Sequence, residues 1–332
     1  MCIGNVGLDE RVLVIAEIGN NHEGDPVAAE RMVREAAAAG ADAVKLQVFR
    51  TELFTAPTDP ARFARMQGFE LSRDVVRHLH DVAREVGVLF VATPLDLDSA
   101  AFLAPLVDAF KVASSDNLFF PLLEAVAASG KPVIVSAGLA DAERMERSVA
   151  VLREHGADGR ILVLHCTTAY PAPPEHANLA SIAYLRERLG VPVGYSDHTL
   201  GIEVCELAVA AGAVALEKHF TLDKQTSDFR DHQLSADPPE LRALVERVRF
   251  VEAVRGRPGK LVHPEELALA EAVGRSIVAG HDLAAGTVLA REDLAWTRPA
   301  GGLAPGQEDL VVGRRLVSAR ALGERIGVED VT

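Results

Sequence analysis

The stretch VPVGYSDHTLGIEVCELAVAAGAVALEKHF, residues 191–220, contains two short apolar runs that each close on a polar cluster with a histidine. The runs at 191–197 and 213–220 read as strands, and the segment between them has room for a helix. The same alternation extends back to the start of the chain. Strands are expected at VLVIAEIG (12–19), DAVKLQV (42–48), VLFVATP (88–94), AFKVAS (109–114), PVIVSAG (132–138) and ILVLHC (161–166). Helices fit the Ala-, Glu- and Arg-rich stretches between them. At 25–40, for example, Asp25 supplies a cap, Pro26 suits the first turn and Gly40 marks the stop. Val/Ile/Leu runs of this kind belong to parallel strands covered on both faces. Eight strand-helix units in about 250 residues predict an α/β fold, the TIM (β/α)8 barrel, whose chemistry is built at the carboxyl ends of its strands.

From Ser276 the pattern changes to short strand-like runs separated by Gly, Pro and Asp turns. The expected organisation is a barrel domain at 1–262, a linker at 263–275 and a small β-rich domain at 276–332. A hydrophobic content of 48% over 332 residues suits one large core and one small one. No apolar run approaches the roughly 18 to 20 residues of a membrane span, and the first residues lack the basic region and cleavage pattern of a signal peptide. A cytoplasmic protein with no membrane partner is therefore expected. The net charge of -14 argues against nucleic acid as a partner and requires any anionic substrate to meet a local cluster of cations. Cys2, Cys166 and Cys205 show no CxxC spacing, so neither a disulfide framework nor a thiolate zinc cage is indicated.

Residues two apart on a strand share a face, so Lys45 goes with Gln47, Ser196 with His198, and Glu217 with His219. The last two pairs end strands seven and eight, which adjoin in a closed barrel. Their placement favours convergence of His198 and His219 on one divalent ion over two unrelated hydrogen-bonded rings. Two imidazoles leave such an ion open positions and suit Mn, Co, Ni, Fe or Zn better than Ca. Lys45 and Lys111 each interrupt an apolar run, and a buried ammonium needs an anion to answer it. Thr93, Ser114 and Ser136, at successive strand ends, add hydroxyl donors for phosphate or carboxylate oxygens, although each alone could cap a helix. Glu17, inside strand one, could pair with Lys45 or act in catalysis. Glu217 could orient a metal ligand or bind a substrate hydroxyl. His22 and Glu23 could anchor a loop, His165 could be a satisfied core histidine, and Tyr170 could contact substrate or merely pack.

The segments AEIGNNHEG, VKLQ, ATP, KVASS, HCTTAYP, GYSDHTLG, EKHFTLD and WTRPAGG, in this order along nearly the whole chain, resemble the sialic acid synthase family. These are the phosphoenolpyruvate-dependent N-acetylneuraminate synthases. The resemblance implies a TIM barrel followed by an SAF domain, similar to type III antifreeze protein. It implies condensation of phosphoenolpyruvate with an N-acetylmannosamine-type aldose, aided by a divalent metal, manganese first, with cobalt or magnesium as alternatives. Lys45, Thr93, Lys111, Ser114, Ser136 and Ser196 would then hold phosphoenolpyruvate, and His198 and His219 the metal. Glu17, Glu217 and Tyr170 would be catalytic, with Gln47, Asp231 and Arg298 on the acceptor. Arg298 matches an arginine that members deliver from the SAF domain into the partner's barrel, which implies a domain-swapped homodimer.

The chain departs from the family pattern near the acceptor. It has Ala113, Ser114, Ser115 and Asp116 in place of GSGE, SDFRDH (227–232) in place of PGPDH, Thr168 in place of asparagine, and no aromatic in LALAEAVGRS. These departures motivate a second reading, a condensing enzyme acting on a different sugar aldehyde in a specialised pathway. A third, of another class, is a noncatalytic carbohydrate- or ice-binding protein, which retention of the phosphoenolpyruvate residues and both histidines disfavours.

Overall fold

In the computed structural model, which describes residues 1–256 and 259–332, eight parallel strands close into a barrel. They are Leu13–Gly19, Ala43–Val48, Leu89–Pro94, Ala109–Val112, Val133–Ser136, Ile161–Cys166, Val193–Asp197 and Ala215–His219, in chain order around the ring, with the eighth pairing the first. All eight expected strands are present. The fourth and fifth stop short, at Val112 and Ser136, because the chain turns there. A 3-10 turn at Ser114–Asp116 follows the fourth, and the Asn117 amide donates to the carbonyl oxygens of Ser136 and Gly138 at 3.2 and 2.9 Å.

The helices cover the outside. In Pro26–Ala38 the Asp25 carboxylate accepts from the Val27 N–H, and the buried Ala29, Met32, Val33 and Ala36 make one face at helical spacing. That face packs on outward strand residues such as Val14, Ala16, Ile18, Val44 and Leu46. The alternate residues point inward: Leu13, Ile15, Ala43, Val91, Ala109, Ile134, Leu162 and Ala215 fill the amino half of the barrel. An antiparallel hairpin, Cys2–Ile3 with Val6–Gly7, plugs that end through Ile3 and Val6. Burial of a Leu or Ile side chain contributes roughly 1.5 to 3 kcal/mol, so the apolar half holds the cylinder while the carboxyl half is left for polar groups.

Two segments build the mouth at the carboxyl end. The helix Pro60–Phe69, capped by Asp59, follows the second strand, and a turn-rich segment follows the eighth. They meet through Phe69 and Phe229, whose rings pack edge to face at 5.2 Å within a cluster that includes Phe49, Phe54, Met66 and Leu95.

The chain divides into two compact units, Met1–Gly256 and Arg257–Thr332. Positions 257 and 258, which the expected barrel domain of 1–262 includes, lie outside the described residues. The stretch expected as linker contains a helix, Pro264–Val273. The second unit has its own core of Ile277, Ala279, Leu283, Leu289, Leu294, Val311, Leu316, Ile326 and Val331. Its β structure is fragmentary: one antiparallel pair, Ser276–Ala279 with Leu294–Thr297, and single bridges such as Leu283 to Arg320, because turns interrupt longer pairing. Among the described residues, no helix is long and apolar enough to cross a membrane.

Candidate active site

The barrel register sets two rows of inward side chains. His219 aligns with Glu17 and Glu17 with Lys45, while Glu217 aligns with Ser196 and Ser196 with Cys166. Lys45 lies between two carboxylates, its Nζ 3.3 Å from Glu17 Oε2 and 3.0 Å from Glu217 Oε2. Lys111 donates to Ser136 Oγ at 2.7 Å and approaches Glu217 Oε1 at 3.9 Å. Ser196 donates to Glu217 Oε1 at 3.0 Å. Burial disfavours both charged carboxylates, but Lys111, Lys45 and the Ser196 hydroxyl outweigh it at Glu217 and hold that group well below the usual carboxylate range. Burial prevails at Glu17, which shares its ammonium with Glu217 and feels that group's charge, so its pKa is raised. Glu17 therefore pairs with Lys45 and faces the cavity as well.

Strands seven and eight bring the two histidines together, with ring centroids 5.4 Å apart. His198 uses Nδ1 on the Thr167 carbonyl oxygen at 2.9 Å, which fixes the ring and leaves Nε2 toward the cavity. His219 Nδ1 is buried with no hydrogen-bond partner, and burial, with His198 and Lys45 nearby, keeps the ring neutral. Two imidazoles, one fixed by a carbonyl and one neutral with an orphaned nitrogen, are donors that fit a divalent ion with open positions. Among the described residues, no group of three or more His, Cys, Asp or Glu side chains forms a closed cage. Tyr170 lies over His198 at 4.3 Å and edge-on to His219 at 6.2 Å, and the Arg230 guanidinium covers its ring at 4.6 Å. Asp231 Oδ2 stands 3.9 Å from His219 Nδ1, and burial raises the pKa of this carboxyl.

These groups line one cavity of about 940 Å³. It gathers Glu17, Lys45, Gln47, Lys111, Ser114, Ser136, Tyr170, Ser196, His198, Glu217, His219 and Asp231. Thr93 does not line it. That residue is fully buried, and its Oγ1 has no partner. Arg298 belongs to the second unit, where it is exposed just after the strand Leu294–Thr297. His22 stays out of the cavity and accepts from the Gly24 N–H at 2.9 Å, which makes it a loop anchor. Glu23 lines the cavity and is held by His232 Nε2 at 3.0 Å and by the Ser227 hydroxyl. His165 is satisfied by the Ala177 carbonyl oxygen at 2.8 Å.

Several lining residues were not singled out as site residues by sequence reasoning, Cys166, Thr168, Asn20 and Arg62 among them. Cys166 Sγ lies 3.7 Å from His198 Nδ1 and 3.8 Å from Ser114 Oγ. Thr168 Oγ1 is buried without a partner, and Asn20 donates to Gln47 Oε1 at 2.8 Å. Arg62 is on the inserted helix. The positions of Cys166 and Thr168 at the end of strand six were a usable signal, but nothing in the local pattern marks Arg62.

Residues 32–260 match the NeuB family, and residues 274–326 match the SAF domain. The chain is 35% identical over 320 residues to an N,N'-diacetyllegionaminic acid synthase of Legionella pneumophila, covering 91% of this chain and 90% of that protein. It is 38% identical over 309 residues to the N-acetylneuraminate-9-phosphate synthase of Homo sapiens, covering 89% and 85%. Among solved structures, the N-acetylneuraminic acid (sialic acid) synthetase of Leptospira borgpetersenii serovar Hardjo-bovis, in complex with citrate, superposes with a TM-score of 0.76 at 34% identity, over 81% of this chain and 94% of that one.

Proposed function

Because this chain belongs to the NeuB family and carries an SAF domain, we propose that it condenses phosphoenolpyruvate with a sugar aldehyde to give a sialic acid-like 2-keto-3-deoxy sugar acid and phosphate. One observation carries the reading. Two ammonium groups, Lys45 and Lys111, are buried at 4% and 2% exposure on the wall of the cavity that the paired histidines also line. Cations sealed at that depth suit a small, highly charged anion.

In the proposed reaction, C3 of phosphoenolpyruvate bonds to the aldehyde carbon, whose oxygen takes up a proton. Water supplies the new oxygen at C2, and the C2–O bond breaks as phosphate leaves with its electron pair, so C2 ends as a ketone. Lys111 and the hydroxyls of Ser114, Ser136 and Ser196 supply donors for the phosphoryl and carboxylate oxygens. Glu217 remains ionised and holds both ammonium groups in position. Glu17, which binds its proton more tightly, is placed to orient the water or pass a proton beside Lys45. A divalent ion held by His198 and His219, manganese first and cobalt or magnesium otherwise, would supply Lewis-acid polarisation of the aldehyde oxygen. Gln47, Tyr170 and Asp231 would position the acceptor, with Arg298 of a swapped partner completing the mouth.

The test incubates purified protein with phosphoenolpyruvate, Mn²⁺ and a panel of aldoses, with and without chelator, and follows phosphate release together with product mass. Phosphate released in step with a condensed product supports the reading. No consumption of phosphoenolpyruvate with any aldose would overturn it in favour of a noncatalytic carbohydrate-binding role.

A further inference from the structure

The mouth of the cavity carries positive charge that the condensation described above leaves unused. Arg62 and Arg65, three residues apart on the helix Pro60–Phe69, lie on one helical face and line the cavity. Arg230 lines it from the segment after strand eight. The packing of Phe69 against Phe229 brings these two segments together. All three arginines are exposed, whereas Lys45 and Lys111 are buried, so the cavity has an inner and an outer cationic group.

The outer guanidiniums are supported yet unspent. Arg62 lies over the Phe54 ring at 5.9 Å and Arg230 over Tyr170 at 4.6 Å, and both aromatics also line the cavity. A guanidinium resting on a ring keeps its N–H edge free for an anion. Among the described residues, no carboxylate lies within 4.0 Å of Arg62 or Arg65, and Arg230 has only Asp231 Oδ1, at 3.4 Å from Nε. Of the acidic groups near the mouth, Glu23 is already held by Ser227 and His232, and Asp231 faces His219, leaving Asp228 as the unengaged negative charge. In a chain of net charge -14, three such arginines around one opening mark a site for an anion.

We propose that the acceptor is an aldose carrying a phosphomonoester at the end away from its aldehyde, and that Arg62, Arg65 and Arg230 select it. The proposal rests on the condensation reading, with the aldehyde at the histidines and the remainder of the sugar directed outward. A dianionic phosphate presents three oxygens to the arginine forks, which a neutral hydroxyl end cannot match.

The experiment offers N-acetylmannosamine, mannose and N-acetylglucosamine, each with and without its 6-phosphate, to the wild-type protein with phosphoenolpyruvate and Mn²⁺, and measures condensed product by mass. The expected result is a kcat/KM preference of about tenfold or more for the phosphorylated member of a pair. The preference should fall at least about tenfold in Arg62→Gln/Arg65→Gln and in Arg230→Gln, chiefly through KM. It should also weaken from low to high salt, because the mouth is open to solvent. Equal or better use of the unphosphorylated sugar, or a preference untouched by both variants, overturns the inference while the condensation reading stands. If no sugar condenses, the reading itself fails and takes the inference with it.

Discussion

Asp197 and Lys218 form a sealed ion pair on adjacent strands, 2.7 Å apart at 0% and 1% side-chain exposure, and each precedes one of the paired histidines. Their side chains turn away from the barrel interior toward the helix Glu203–Ala210, where Cys205 also meets Asp197. Lys218 donates as well to the Thr199 carbonyl oxygen at 2.6 Å, and Thr199 donates both N–H and hydroxyl to Asp197. The network locks strands seven and eight in register on their outer side, and the alternation of strand side chains then turns His198 and His219 inward together.

Lys218→Met is expected to destabilise the protein by about 3 to 5 kcal/mol, because Asp197 is left buried and unpaired. Adding Asp197→Asn should recover a large part of that loss. Urea denaturation of the two variants checks this, and equal stability of the single and double variants would show that the pair holds nothing.

His198→Ala and His219→Ala should each abolish phosphate release and lose Mn²⁺ binding followed by electron paramagnetic resonance. Chelation should silence the wild type, with Mn²⁺ restoring it. A variant that binds Mn²⁺ and turns over normally would remove its histidine from the metal site.

Gly138→Ala tests the proposed anion-binding wall without changing a charge. A methyl group there would run into Thr168 Oγ1 and Ser114 Oγ, so these hydroxyls would have to move. KM for phosphoenolpyruvate should rise about tenfold or more, a loss of roughly 1.4 kcal/mol or greater, with little change in thermal stability. Unchanged kinetics would place the bound anion away from this wall.

The proposed swapped dimer has a quantitative signature. Lys111→Met should disable a barrel and Arg298→Ala the residue proposed to reach a neighbour, so a mixed dimer would keep one intact site. Equal mixing with full subunit exchange should restore about a quarter of wild-type activity from two nearly inactive variants. No recovery after demonstrated exchange would mean that Arg298 does not act across the interface.

His22 should link stability to pH. Burial lowers its pKa to about 4, against 6.5 for the ordinary group, and the side chain is 2% exposed. The unfolded chain takes up the proton first, so stability present above pH 6.5 is lost as pH falls toward 4, by about 3 kcal/mol at most. His22→Asn, which keeps an acceptor near the Gly24 N–H, should flatten that difference. Chemical denaturation at pH 7, 5.5 and 4 measures it, and parallel curves for variant and wild type would refute the assignment.

The eight strands were legible because apolar runs at strand length, separated by capped helical stretches, are a local and repeated signal. Lys45 and Lys111 were legible for a related reason, since a charge set inside such a run has few inexpensive structural explanations. Strand ends were less so. Ser114 reads as part of the fourth strand but begins a 3-10 turn, and the fifth strand ends at Ser136 rather than Gly138, where the Asn117 amide takes up the Ser136 and Gly138 carbonyl oxygens. Thr93 shares the sequence appearance of its neighbours yet lies outside the cavity lining.

The sequence by itself determined the cylinder and the inward direction of Glu17, Lys45, Glu217, His198 and His219, because strand alternation follows from local backbone geometry. Only the tertiary structure decided which polar groups pair, so that Glu217 meets both lysines while Glu17 meets Lys45, and which groups are left without a partner. It also decided that Arg62 and Arg230, 168 residues apart in the chain, line the same mouth. That convergence depends on ring closure and on Phe69 meeting Phe229, contacts that no local periodicity encodes.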